Sequence, residues 1–136
     1  IQPGKPVFLA QRDAPRGSAS LLVGLPGNPV SVLATAHLIL LPLIGRFLGG
    51  WTPRWQQRAL AIPAANPGKR HLFLPARETD AGIAPIRWNG SGDLIAAAAG
   101  DGLVDLPVGF TAEAGAAVRY LPYVGGSVGE AGLMPR

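Results

Sequence analysis

The sequence predicts an α/β segment followed by a small, mostly-β domain. Three observations predict this. Residues 1–52 hold two short apolar runs and then a Gly/Pro turn that opens a long apolar helix. Residues 53–124 break into short runs divided by Gly, Pro and Asn, the spacing of a small β domain. Residues 125–136 begin Gly-Gly-Ser-Val-Gly, which predicts a flexible tail.

The first element is Val7 to Ala10, an apolar run that follows Pro3-Gly4-Lys5-Pro6 and reads as a strand. A polar stretch, Gln11 to Ser20, loops to a second run, Leu21 to Leu25. Pro26-Gly27 stops that strand, Asn28 is a good N-cap, and Pro29 suits the first helical position, where its missing N–H would be unpaired anyway. The helix runs through Val30 to Ile44 toward Gly49-Gly50, which can supply a left-handed C-terminal turn. Pro42 is expected to kink it. A membrane span needs about 20 apolar residues, whereas Val32 to Gly45 is interrupted by Thr35, His37 and Pro42. A buried helix of an α/β layer is therefore expected, with no membrane partner. Beyond Trp51-Thr52-Pro53, strands are predicted over Arg58–Ile62, Leu72–Ala76, Ile83–Trp88, Leu103–Leu106 and Ala117–Tyr120. A brief helix is predicted over Gly92–Ala99, with Ser91 as its cap.

Composition narrows the function. A chain of 136 residues with 48% hydrophobic residues is long enough for one ordinary packed domain or two small ones. It holds no cysteine, hence no disulfide framework, thiolate metal site or Cys nucleophile, and a reducing, cytoplasmic setting is expected. Ile1 stands first and no basic-then-apolar signal segment precedes Val7, which predicts a portion of a longer chain. The net charge of +4 is unevenly spread: no carboxylate lies between Asp13 and Glu78, while seven Lys and Arg residues do. Such a one-signed field gathers anions. The basic residues are scattered and no aromatic-interleaved basic run occurs, so the expected partners are anionic small molecules, not nucleic acid.

Chemistry has two natural places, each a Gly-rich turn at a helix start. At Gly27-Asn28-Pro29, unpaired N–H groups and the positive end of the helix dipole face the crevice above the sheet. Gly24 and Gly27 would allow close backbone approach, and Ser31 adds a hydroxyl. From spacing alone, an ordinary strand-to-helix connection is the commoner reading. The second place is Gly90-Ser91-Gly92-Asp93, where Ser91 commonly does no more than cap. Lys5, stiffened by flanking prolines, loses less entropy when it orders on an anion. His37 and His71 have no partner at ligand spacing, so no zinc site is expected, and His37 reads as a packing residue. Asp93, Asp101 and Asp105 are separated by glycines and read as a solvated turn. Trp51, Trp55 and Trp88 are expected to pack at the domain junction.

In order along the chain stand Gln2-Pro3-Gly4-Lys5-Pro6, the octapeptide Gly24-Leu25-Pro26-Gly27-Asn28-Pro29-Val30-Ser31, Arg77 in a strand, Gly90-Ser91, and Asp101-Gly102-Leu103-Val104-Asp105-Leu106-Pro107. This series resembles the C-terminal portion of the molybdopterin molybdotransferases of the MoeA/gephyrin type. The resemblance implies the C-terminal part of an open α/β molybdopterin-binding domain (1–52), a small barrel-like β domain (53–124) and a tail (125–136). It implies a reaction in which molybdate, with magnesium, is inserted into the dithiolene of adenylylated molybdopterin and AMP is released. Lys5 and Arg77 would be catalytic, while Pro26, Gly27, Asn28, Pro29, Ser31 and Ser91 would bind substrate. The magnesium ligands are expected upstream, because the family's Gly-Gly-Thr/Ser-x-Gly loop and its acidic residues are not in this chain. A homodimer is expected for the full-length protein. Gln2 replaces the first lysine of the family's Lys-Pro-Gly-Lys-Pro segment, which keeps hydrogen bonding but loses a charge. That change supports an alternative, a non-catalytic pterin- or anion-binding scaffold. A nucleotide module that uses Gly27-Asn28-Pro29 as a generic anion hole is a third reading.

Overall fold

Two runs rich in Leu, Val and Phe flank the first loop, and in the computed structural model they form a two-stranded antiparallel ribbon. The structure describes residues 7–13, 19–50, 52–87, 95 and 98–124. Strands β1 (Phe8–Asp13) and β2 (Ala19–Gly24) pair from Phe8↔Gly24 to Asp13↔Ala19. Both strands thus extend into the stretch expected to be loop, because the antiparallel ladder recruits Gln11–Asp13 and Ala19–Ser20 whatever their polarity. Phe8, Leu9, Leu21 and Leu22 are exposed.

The helix follows as three joined pieces: α1 (Pro29–Thr35), a π turn (Ala36–Leu40) and α2 (Leu41–Phe47). Pro42 has no N–H for the Leu38 carbonyl and its ring crowds that carbonyl in a regular α ladder. The widened turn is the local answer, with the Leu41 N–H donating five residues back to Ala36 O. Val30, Ser31, Ala34, Thr35 and His37 form the buried stripe. The His37 ring Nδ1–H donates to Leu33 O at 2.9 Å, as expected of a packing histidine. Gly49 and Gly50 take positive φ (115° and 94°) and end the helix. Pro29–Phe47 spans 19 residues with mean hydropathy 1.8. Length and composition alone would let it cross a membrane, a property that core helices share.

The described chain divides into two compact units, residues 1–53 with 87–98 and residues 54–86 with 99–136. The second is built on a five-stranded antiparallel sheet in the order β3-β9-β7-β5-β6. Its strands are β3 (Gln56–Ala59), β5 (Leu72–Thr79), β6 (Gly82–Pro85), β7 (Gly102–Leu106) and β9 (Ala117–Pro122). A bridge from Leu60 to Ile83 and a 2.8 Å bond from Ala61 N to Ile83 O join the first strand's end to the last strand. The sheet therefore curls into a half-barrel. A two-residue pair, β4 (Ala64–Ala65) with β8 (Thr111–Ala112), adds a small flap.

Alternation sorts the side chains. Leu60, Ala76, Ile83, Val104, Leu106, Val118 and Tyr120 make the core. Pro75, Leu103 and Leu121, paired across β5, β7 and β9 on the opposite face, are also buried. The strand expected over 58–62 starts earlier and ends at Ala59, where the chain bends toward Ile83. The one expected over 83–88 ends at Pro85: Ile86 N still donates to Pro75 O at 2.9 Å, but Pro75 has no N–H to return the bond. Of the helix expected over 92–99, only Ile95, Ala98 and Ala99 are described.

Candidate functional site

The turn from Gly24 to Ser31 has the local geometry its residues dictate. Asn28 is extended (φ −91°, ψ 126°), its Oδ1 accepts from the Ser31 N–H at 3.4 Å, and its carbonyl accepts from Val32 N at 2.8 Å. Pro29 contributes no donor. Of the first-turn amides, Val30 alone is used by neither the cap nor the helix. The first turn thus keeps one backbone donor that neither cap nor helix uses, on a residue 2% exposed, fewer than an uncapped helix would offer. Pro26 is buried, Gly27 is exposed, and Ser31 is 9% exposed.

Gly24 does not serve close approach by a ligand. The ring of Phe8, its register partner, fills the space where a Cβ would stand. The expectation drawn from this glycine is corrected: it lets an aromatic ring of the facing strand lie flat on the end of β2.

Pro26, Gly27, Asn28, Pro29 and Ser31 share this one turn of the first unit. Arg77 belongs to the second unit, on β5, and is exposed. Its Nε–H donates to the Ala99 carbonyl at 3.3 Å. On either side of it, Asp101 N donates to Ala76 O at 2.8 Å, and Glu78 N donates to Asp101 Oδ2 at 2.9 Å. Lys5 and Ser91 lie outside the described residues, as do Trp51, Trp88 and Asp93.

Two polar arrangements escaped the sequence reading. Asp105 does not lie in a solvated turn: it is 5% exposed in β7, and its carboxylate accepts from His71 Nε2 and forms an ion pair with Arg119 Nη1 at 3.3 Å. The Arg119 guanidinium lies 4.4 Å over the Trp55 ring, and His71 stacks on Phe73 at 4.8 Å. Phe73, Asp105, Arg119 and Gln57 are direct register partners across four strands. Only pairing could have revealed this row, because its members come from distant segments. Trp55 packs within the second unit, against Arg119 and Phe73.

The second arrangement centres on Asn66, 3% exposed. Its Nδ2 donates to the carbonyls of Arg70, Leu106 and Pro107, and its Oδ1 accepts from Gly68 N, all within 2.8–3.1 Å. One side chain thus ties the loop before β5 to the end of β7. Asn66-Pro67-Gly68 was readable as a turn, but its distant partners were not.

Titration is shifted at two phenols. Burial first, then the Glu78 carboxylate beside it, raises Tyr120 above the usual phenol value. Burial first, then Asp101, raises Tyr123 in the same direction. Among the described residues no group of three His, Asp or Glu side chains could hold a metal ion. They do not fit a magnesium site.

A strand that ends in a capped apolar helix, and a curled antiparallel half-barrel, are the class of fold found in the C-terminal part of solved MoeA proteins. Residues 57–123 match the sequence model of the MoeA C-terminal region, domain IV. The molybdenum cofactor synthesis protein cinnamon of Drosophila melanogaster is 49% identical over 51 residues, 38% of this chain and 8% of that protein. A molybdopterin molybdenumtransferase of Nostoc sp. is 33% identical over 78 residues, 54% of this chain and 17% of that protein. A crystal structure of a Pyrococcus molybdopterin biosynthesis MoeA protein matches with TM-score 0.67 and 30% identity over 89% of this chain and 29% of its own. A second, from Pyrococcus horikoshii, matches with TM-score 0.62 at 21% identity over 71% and 26%. In sequence and in fold the chain is similar to the C-terminal part of MoeA-family proteins. It spans less than a third of the length of each of these relatives.

Proposed function

We propose that this chain supplies part of a site that inserts molybdenum into adenylylated molybdopterin, in the synthesis of the molybdenum cofactor. The observation that carries this reading is the octapeptide Gly24–Ser31, seated at a strand end with Asn28 capping the helix. The relatives' names point the same way: one is a molybdenum cofactor synthesis protein and another a molybdopterin molybdenumtransferase.

On this reading Pro26, Gly27, Asn28 and Pro29 line the pterin crevice, and the Val30 amide with the Ser31 hydroxyl supplies donors at the positive helix end. Arg77 offers a planar fork to an oxyanion, either molybdate or the phosphate that leaves as AMP. A fixed cation there stabilises charge as it develops on the leaving oxygens. Lys5 and Ser91 are assigned to the same anions. Magnesium is assigned to residues outside this chain, and the assembled enzyme is a cytoplasmic homodimer bounded here by domains 1–52 and 53–124. Gln2 favours one second reading, a scaffold that binds the pterin without turning it over.

The test is cofactor reconstitution in an extract that lacks the activity, with the remainder of the polypeptide supplied. The wild-type assembly is expected to load molybdenum, with Arg77→Ala reducing the rate at least tenfold. No insertion at any molybdate concentration, with molybdopterin still bound, would leave the scaffold reading standing instead.

A further inference from the structure

Three consecutive residues of β5 are tied to one short segment. Ala76 O accepts from Asp101 N at 2.8 Å, the Arg77 Nε–H donates to Ala99 O at 3.3 Å, and Glu78 N donates to Asp101 Oδ2 at 2.9 Å. The regular ladder between β5 and β7 ends at Ala76↔Gly102. Beyond that pair, the next strand amide would lose its acceptor, and the Asp101 carboxylate replaces the missing carbonyl. Asp101 is itself fixed, because its own carbonyl accepts from Tyr123 N at 2.8 Å, just past the end of β9. On the other side, β6 pairs with Ala76, Arg77 and Glu78 through Pro85, Ala84 and Ile83.

The consequence falls on Arg77. A surface arginine has many rotamers and loses much of that freedom when it binds. Here its backbone is held from both sides and its Nε–H is already committed to Ala99 O. The two terminal nitrogens remain, in a plane fixed by the rest of the group, which is the pair that recognises an oxyanion bidentately.

We propose that Asp101 is a positioning residue for Arg77: by bonding Ala76 and Glu78 it fixes the strand so that Arg77 reaches Ala99 through Nε and keeps its terminal nitrogens for an oxyanion of the phosphate or molybdate class. This rests on the reading of Arg77 as an anion-binding group. Asp101 touches no substrate and acts only through Arg77.

The test uses the ¹⁵N-labelled chain, with molybdate and orthophosphate as probes. Asp101→Ala removes the acceptor, whereas Asp101→Asn retains an oxygen that can accept from Glu78 N. In the wild type the Arg77 Nε–Hε signal is expected to be resolved and slow to exchange. It persists in D101N and collapses into the averaged arginine envelope in D101A. Molybdate affinity, read from titration of that signal and of the neighbouring amides, falls about fivefold to tenfold in D101A, the worth of one preorganised hydrogen bond. It recovers in D101N. In an Arg77→Ala background, D101A produces no further loss.

Equal losses with and without Arg77 would make Asp101 merely structural and overturn the inference. Binding that needs Arg77 but ignores D101A would also overturn it while leaving the functional reading intact. If neither probe binds the wild type, the reading of Arg77 fails. The Nε–Hε signal then decides the positioning alone, and an unchanged signal in D101A refutes it. If D101A does not fold, Asp101→Ser is read in the same cycle.

Discussion

The phenol ring of Tyr120 occupies the space that a Cβ on Gly102 would need. Such an atom would stand 2.5 Å from Tyr120 Oη and 2.5 Å from Leu121 O. The glycine of Asp101-Gly102-Leu103 is thus required by a ring lying across the strand beside it. Gly102→Ala is expected to destabilise the chain by about 1–3 kcal/mol, the cost of overpacking a well-filled core. Urea denaturation would measure it, and a midpoint at the wild-type value would show that the ring can move aside.

Asn66 is expected to be the most sensitive polar residue of the half-barrel. Asn66→Ala strands the Leu106 carbonyl and the Gly68 amide, costing about 2–3 kcal/mol. Asn66→Asp should cost at least as much, because a carboxylate would face three carbonyls that need donors. An aspartate variant as stable as wild type would contradict this account.

Thr35 presents the opposite case. It is fully buried, and its hydroxyl has no partner among the described residues. Removing a buried unpaired hydroxyl while keeping the branched shape gains stability, so Thr35→Val is expected to be neutral or stabilising by about 1 kcal/mol. A lower melting temperature for the valine variant would indicate that the hydroxyl is paired.

The two tyrosines make stability depend on alkali. Both phenols are raised in the folded state, chiefly by burial. Below about pH 10 they hold their protons whether the chain is folded or not, and their contribution is fully present. Above it, the unfolded chain releases protons that the folded chain retains. Stability then declines by up to about 1.4 kcal/mol per pH unit for each tyrosine. The decline ends once pH passes the folded values. The sequence has two tyrosines, so tyrosinate absorbance at alkaline pH is expected to rise together with loss of circular dichroism. Ionisation near pH 10 in a chain that is still folded would disprove it.

Much of the first unit was legible because its signals are local. Asn28 and Pro29 mark a helix start through groups within three residues of each other, and Gly49-Gly50 mark its end the same way. Pro42 foretold a disturbance but not its form, since a kink and a π turn both relieve the same clash. The five strands of the second unit's sheet were legible in rough place, while their ends moved wherever pairing outweighed composition, and the two-residue pair of β4 with β8 was not foreseen. Gly24 was misread for the same reason: the ring that fills its missing Cβ arrives from a facing strand.

The sequence by itself determined the two-part architecture, the capped turn and the family resemblance, because periodicity, turn residues and an ordered octapeptide are properties of neighbouring residues. Only the tertiary structure decided that Asp105 is a buried acid between His71 and Arg119, and that Asn66 ties two loops. It also decided that Asp101 braces the strand carrying Arg77. Each of these includes a bond to a residue more than twenty positions away, and only the register of the curled sheet determines which of them meet.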